Sequence, residues 1–167
     1  MTHDRESLSD LQSLCDAIPP TGFIHRPLWH AAVDIGPREP LGRSPLGERW
    51  IVPILGGRFW GAPGFETLRG TVLPGGADRQ LQRADGVRQL QALYEMRCDD
   101  GAVLTILNQV TIDEPVHGQR YALSHLQVTA PEGPHGWLNR RLIVGTLQVL
   151  RPAREAVLIR SYVLEPG

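Results

Sequence analysis

From about residue 28 onward the chain is a succession of short runs in which apolar and polar positions alternate, each ended by a turn rich in glycine, proline or aspartate. Alternation with a period of two sends successive side chains to opposite faces of a strand. Strands are therefore predicted near 28–35, 49–55, 57–61, 68–74, 78–83, 88–98, 102–112, 120–129, 137–147 and 156–164. Pro63-Gly64, Pro74-Gly75-Gly76, Asp85-Gly86, Asp100-Gly101, His117-Gly118 and Gly133-Pro134 punctuate them. The two Asp-Gly pairs are the clearest hairpin turns, because both central residues of that turn need a positive φ. Ahead of the strands, Leu8, Leu11, Cys15 and Ile18 recur at helical spacing behind a Ser7–Asp10 capping box. Pro19-Pro20 stops that helix, which is expected to cover an end or side of the sheet. Residues 1–20 thus read as helix and lead-in, and 21–167 as one β domain.

About ten consecutive strands joined by hairpins predict an antiparallel meander, which either splits into a sandwich or closes into a barrel, and closure, which removes the exposed edges, is the first choice. The fold class expected is all-β, a single antiparallel barrel of about 8–10 strands with a short N-terminal helix. Alternation also finds polar residues on apolar faces. In 102–112, Asn108 shares a face with Ala102, Leu104, Ile106, Val110 and Ile112; in 90–98, Tyr94 shares one with Leu90, Ala92, Met96 and Cys98. A polar group on a buried face either pairs with a neighbour or carries function, so both are interior candidates.

Composition narrows the chemistry. The 167 residues carry 17 basic and 18 acidic side chains, a balance that argues against binding nucleic acid by phosphate neutralisation. Every basic residue is arginine, which leaves no lysine for a Schiff base or a phosphate loop. No apolar run is long enough to span a membrane and the first residues lack a signal core, so a cytoplasmic protein is expected. Cys15 and Cys98 suit a reducing compartment. The six histidines have no metal-ligand spacing, and neither a metal nor another cofactor is expected.

The richest stretch is Gly56 to Gly86, GGRFWGAPGFETLRGTVLPGGADRQLQRADG. Asp78 follows a glycine corner within it. Two readings stand: a turn cap accepting backbone N–H bonds, or a carboxyl at the barrel mouth whose desolvation suits it to be a general base. Arg58, between Gly57 and Phe59, is a candidate fork for a substrate carboxylate. Trp29, Trp50, Trp60 and Trp137 offer flat apolar surfaces for a ligand or simply fill the core. Trp137 and Asn139 share a strand phase and face one side together.

The ordered set GGRFWG, GTVLPGGAD, RADG, DDGA and WLN, with LQALYEMRCDDGAVLTILN at 90–108 and a closing VLIRSYVLE, resembles the family of domain of unknown function 3237 (DUF3237, also UPF0311) from about Gly47 to the end. The resemblance implies a lipocalin-like, calycin-type barrel. The family's recurrent positions fall here on Gly56, Gly57, Gly61, Gly75, Gly76, Asp78, Asp85, Gly86, Tyr94, Asp100, Gly101, Asn108, Trp137, Leu138 and Asn139. Arg79 stands where the family pattern has an aromatic residue, and the segment before Gly47 is longer.

The function expected is a small-molecule-binding barrel doing cofactor-free acid–base chemistry on a small organic acid or cyclic ketone: isomerisation, dehydration or lactone opening. Asp78 is the base, Tyr94 and Asn108 meet a developing oxyanion, Trp60, Trp137 and Asn139 line the ligand, and Arg58 holds its carboxylate. A non-catalytic carrier or sensor of a hydrophobic metabolite and a filled structural barrel are the rivals. A homodimer is compatible with exposed β surfaces.

Overall fold

The computed structural model describes residues 7–114 and 118–167; His3 and the His117 half of the His117-Gly118 turn lie outside the described residues. One helix, α1 (Leu8–Ala17), precedes ten strands: β1 (Phe23–Ile35), β2 (Glu39–Ser44), β3 (Gly47–Gly61), β4 (Gly70–Val72), β5 (Ala77–Gln82), β6 (Arg88–Cys98), β7 (Val103–Asp113), β8 (Tyr121–Thr129), β9 (Ile143–Val149) and β10 (Ala156–Pro166). A 3₁₀ helix, Gly136–Arg140, lies between β8 and β9.

The pairings are antiparallel, and β1 pairs with both β10 and β3, which closes the sheet on itself. Two staves of the barrel are interrupted. β1 and β2 pair with successive stretches of β3, and β4 and β5 both lie between β3 and β6. Counted by staves, the fold is a closed eight-stranded up-and-down barrel. The breaks have local causes. At Gly36 the backbone N–H donates to Pro53 O at 2.9 Å instead of continuing the ladder, ahead of Pro37. Between β4 and β5 the chain turns through Gly75, whose φ of +105° suits glycine.

The structure corrects four expectations. Strands 49–55 and 57–61 are one strand, β3, in which Gly56 and Gly57 (φ +144° and +141°) form a bend opposite a register shift between Asp34 and Ile35. A side chain at Gly57 would bring a Cβ to 2.1 Å from Ala32 O, so the strands approach that closely only with glycine there. β2 was not anticipated, because EPLGRS has no alternation; it forms by hairpin pairing with β3. The strand predicted at 137–147 begins only at Ile143, after the 3₁₀ helix. Finally, α1 has the capping box, Ser7 Oγ accepting from Asp10 N and Asp10 Oδ2 accepting from Ser7 N, both at 3.2 Å, yet it buries none of its residues. No helix among the described residues is long and apolar enough to cross a membrane.

One end of the barrel is filled. Trp29, Phe59, Leu68, Tyr94, Met96, Leu104, Ile106, Leu126 and Val163 pack there, and Leu138 of the 3₁₀ helix plugs the opening. Burying one such leucine is worth about 1.5–3 kcal/mol. Towards the other end Leu90, Val110, Ile112 and Leu147 line the wall as a separate apolar cluster. Space remains there.

Candidate functional site

That space is a cavity of about 380 Å³, walled by Val33, Val52, Ile54, Val110, Val157 and Ile159. Three polar side chains enter it from adjacent strands. Register explains how. Asp78 of β5 pairs with Ala92 of β6, and Ala92 pairs with Asn108 of β7. Period-two alternation sends all three inward, with the small alanine methyl between the two polar groups. Tyr94 lies two residues further along β6, one layer towards the closed end, opposite Ile106. Its close approach to the β4–β5 corner depends on Gly76, where an added Cβ would meet Tyr94 Cβ and Leu93 O at 2.6 Å.

All three are buried: Asp78 is 9% exposed, and Tyr94 and Asn108 are each 1% exposed. Each presents a polar atom without a hydrogen-bond partner: Asp78 Oδ1, Tyr94 OH and Asn108 Oδ1. Leaving such a group unpaired costs on the order of 1–3 kcal/mol, so a set of three sharing one cavity calls for an explanation other than folding. The other Asp78 oxygen, Oδ2, accepts from the Gln80 amide at 2.8 Å. Burial pushes the Asp78 carboxyl above its ordinary range; the Gln80 hydrogen bond, the Gln91 backbone and the Arg88 charge pull partly against it. Burial alone raises the Tyr94 phenol, which keeps it a proton donor at neutral pH.

The mouth is rimmed by guanidinium groups that the sequence analysis did not single out: Arg38, Arg88, Arg120 and Arg151. Arg88 follows the β5–β6 turn, Arg120 precedes β8 and Arg151 follows β9. In an up-and-down barrel every second turn falls at the same end, so an arginine beside each of these turns was the available signal. Glu114 Oε1 accepts from Arg88 at 3.4 Å and Arg120 at 3.1 Å, and Arg151 pairs with Glu155 at 2.7 Å. Arg38 stacks over the Trp50 ring at 4.5 Å. Arg88 Nε is buried without a partner. Four cations against these two carboxylates leave the rim positive.

The other four expected site residues lie elsewhere. Past the Gly56–Gly57 bend the phase of β3 reverses, so Phe59 points inward while Arg58 and Trp60 face outward. Trp60, 46% exposed, packs on the outer wall beside His30, with ring centroids 5.7 Å apart. Trp137 and Asn139 are on the 3₁₀ helix at the filled end, not on a strand. Trp137 stacks on Phe65 at 5.7 Å. Asn139 accepts from Ala130 N at 2.9 Å and donates to Ala130 O and Gly136 O, both at 3.0 Å; it ties down a loop. None of the four lines the cavity.

Comparison with known proteins adds the following. A family model described as a protein of unknown function (DUF3237) matches residues 25–164. A UPF0311 protein of Clostridium acetobutylicum is 43% identical over 63 residues, a stretch that makes up 38% of this chain and only 37% of that relative. Among solved structures, a β-barrel-like protein of Acinetobacter baumannii superimposes with a TM-score of 0.76 at 26% identity, covering 89% of this chain and 99% of that one. A chain described as an enzyme from Penicillium herquei is similar at 20% identity with a TM-score of 0.68, covering 89% of this chain and 98% of its own. That last likeness is one of fold.

Proposed function

The chain belongs to the DUF3237 family, and from that premise we propose that its lipocalin-like barrel is a cofactor-free acid–base enzyme acting on a small organic acid that carries a carbonyl group. The observation that carries this reading is the trio of buried, unpartnered polar atoms of Asp78, Tyr94 and Asn108 in one cavity. Burial that holds a carboxyl group above its ordinary range makes its ionised form a stronger base for proton abstraction.

The substrate's carboxylate sits among the rim arginines, which take the role expected of Arg58. Its apolar body lies against Val33, Ile54, Val110 and Ile159. The Asp78 carboxylate removes a proton from the carbon next to the carbonyl, and the C–H electron pair moves onto the carbonyl oxygen. Tyr94 O–H donates a hydrogen bond to that oxyanion, with the Asn108 amide beside it. The proton then returns from Asp78 to a different carbon, which is isomerisation, or a β-leaving group departs, which is elimination.

A cavity of about 380 Å³ counts against a barrel filled throughout. Two free thiols, Cys15 exposed and Cys98 buried, are consistent with a reducing cytoplasm. Exposed Phe23, Tyr121 and Leu123 on the outer wall support a homodimer, which sedimentation velocity tests.

Thermal-shift titration with a panel of small keto acids, enoic acids and their methyl esters tests the binding half. The acids stabilise the protein and the esters do so less. Equal responses to acids and esters would contradict the role of the arginine rim. Binding without turnover of any acid, unaltered in Asp78→Asn, would leave a carrier instead.

A further inference from the structure

At the filled end of the barrel, away from the cavity, a second constellation of reactive side chains has no part in the chemistry above. Cys98 ends β6, Asp100 occupies the β6–β7 hairpin and His135 caps the N-terminus of the 3₁₀ helix. A sulfur, a carboxylate oxygen and an imidazole nitrogen from these three all lie within 4.8 Å of one another. We propose that Cys98, Asp100 and His135 form a binding site for one divalent cation of the zinc class.

The donor set fits that ion. A thiolate, an imidazole and a carboxylate are borderline-soft ligands, and three protein ligands leave a fourth tetrahedral position for water. Cys98 and His135 are 2% and 3% exposed, so both are held rigidly, while half-exposed Asp100 gives the ion a path in. Hydrogen bonds hold the backbone that carries Cys98 and His135, and one more aims the Asp100 carboxylate. Asp100 Oδ1 accepts from Ala102 N at 3.0 Å, which aims Oδ2 at His135 Nε2, 2.7 Å away. The hairpin holding Cys98 is closed by Gly101 N to Cys98 O at 2.9 Å and Cys98 N to Ala102 O at 2.8 Å. The His135 carbonyl accepts from Leu138 N at 3.1 Å.

Metal–ligand distances of about 2.0–2.3 Å need the His135–Asp100 contact to open by well under an ångström. The Cys98 thiol and the ion exchange charge in balance: the S–H bond breaks, sulfur keeps the pair to bind the cation, and one proton passes to solvent. The sequence analysis expected no metal because these ligands have no recognisable spacing. The fold supplies the proximity by laying the β8–β9 connection beside the β6–β7 hairpin.

The test is titration of chelator-treated full-length protein with Co²⁺ and then Zn²⁺. One Co²⁺ per chain with a thiolate-to-metal absorption band in the near ultraviolet is expected, bleached by one equivalent of Zn²⁺. Cys98→Ser abolishes the band and His135→Gln weakens binding at least tenfold, whereas Cys15→Ser changes neither. Zinc also raises the Tm of the wild type, and chelator reverses the rise. The proposal is overturned if wild type shows no thiolate band and no zinc-dependent Tm, or if Cys15→Ser removes the band. Should Cys98→Ser or His135→Gln fail to fold, wild-type stoichiometry and Tm together with Asp100→Asn, a half-exposed position, decide the matter.

Discussion

A carboxyl group as buried as that of Asp78 binds its proton more tightly in the folded chain than in the unfolded one, where the ordinary value of 3.8 applies. Below that value both states are protonated and the group contributes nothing. As pH rises through the raised folded-state value, the folded protein loses stability relative to the unfolded chain. Asp78→Asn therefore denatures at a higher temperature than wild type at pH 8, and the gap narrows as pH falls towards 4. Denaturation curves at several pH values check this; a gap that widens on acidification contradicts it. With substrate, kcat/KM of the wild type rises with pH through the same group, and Asp78→Asn retains binding without turnover. Tyr94→Phe removes a hydroxyl that has no partner, so stability is unchanged or rises while kcat falls about 10²–10³-fold. A structural hydrogen bond would instead show as a loss of about 1 kcal/mol in denaturant unfolding. Tyr94 and Asn108 were legible because each breaks the apolar side of an alternating strand, whereas Asp78, whose strand face continues in Gln80 and Gln82, stood out by its place after a glycine corner. Arg58 and Trp60 were misread because a two-glycine bend reverses the phase of β3 partway along, and alternation counts residues without seeing bends.

Elements differ in how much the barrel depends on them. α1 forms by local capping and contributes no buried residue, so deleting residues 1–19 leaves the Tm within about a degree of the parent. A fall of several degrees would mean that the helix packs on the barrel after all. The β4–β5 corner is the opposite case. Gly76→Ala forces a Cβ against Tyr94 and the Leu93 carbonyl, and costs about 1–3 kcal/mol by overpacking. The loss shows in urea unfolding, and ligand binding weakens with it because Tyr94 must move. Strands β6, β7 and β8 were readable almost to the residue from period-two patterning between turn signals. β2 and the 3₁₀ helix were not: EPLGRS owes its strand to pairing with β3, and Gly136–Arg140 owes its conformation to Leu138 seating in the barrel end.

At the scale of the whole molecule, closure joins features that the sequence keeps far apart. The β1–β2 break that carries Arg38, Arg88 at the start of β6, Arg120 ahead of β8 and Arg151 after β9 lie around one mouth and bring four arginines together. Organic acids are thereby drawn to the mouth by a field that salt screens. Arg38→Gln and Arg151→Gln each weaken acid binding about two- to fivefold, as expected of exposed charges, and lessen its salt dependence. Arg88→Gln, whose side chain is less exposed, costs about tenfold or more. Calorimetric titration at two ionic strengths checks the series, and equal losses for the neutral esters would contradict it. Alternation pointed to a closed barrel and to Tyr94 and Asn108, and the glycine corner to Asp78, but neither pointed to the rim, because the proximity of the arginines exists only once the staves are in order.

The measurement that bears most directly on the central claim is proton NMR of the protein in D₂O with a panel of keto acids, enoic acids and lactones, run in parallel with Asp78→Asn. An acid–base enzyme whose base is Asp78 exchanges a carbon-bound proton for deuterium, or forms a new product, with the wild type alone. Substrate lines that broaden equally in both proteins without exchange or turnover contradict catalysis by Asp78 and leave a barrel that only binds.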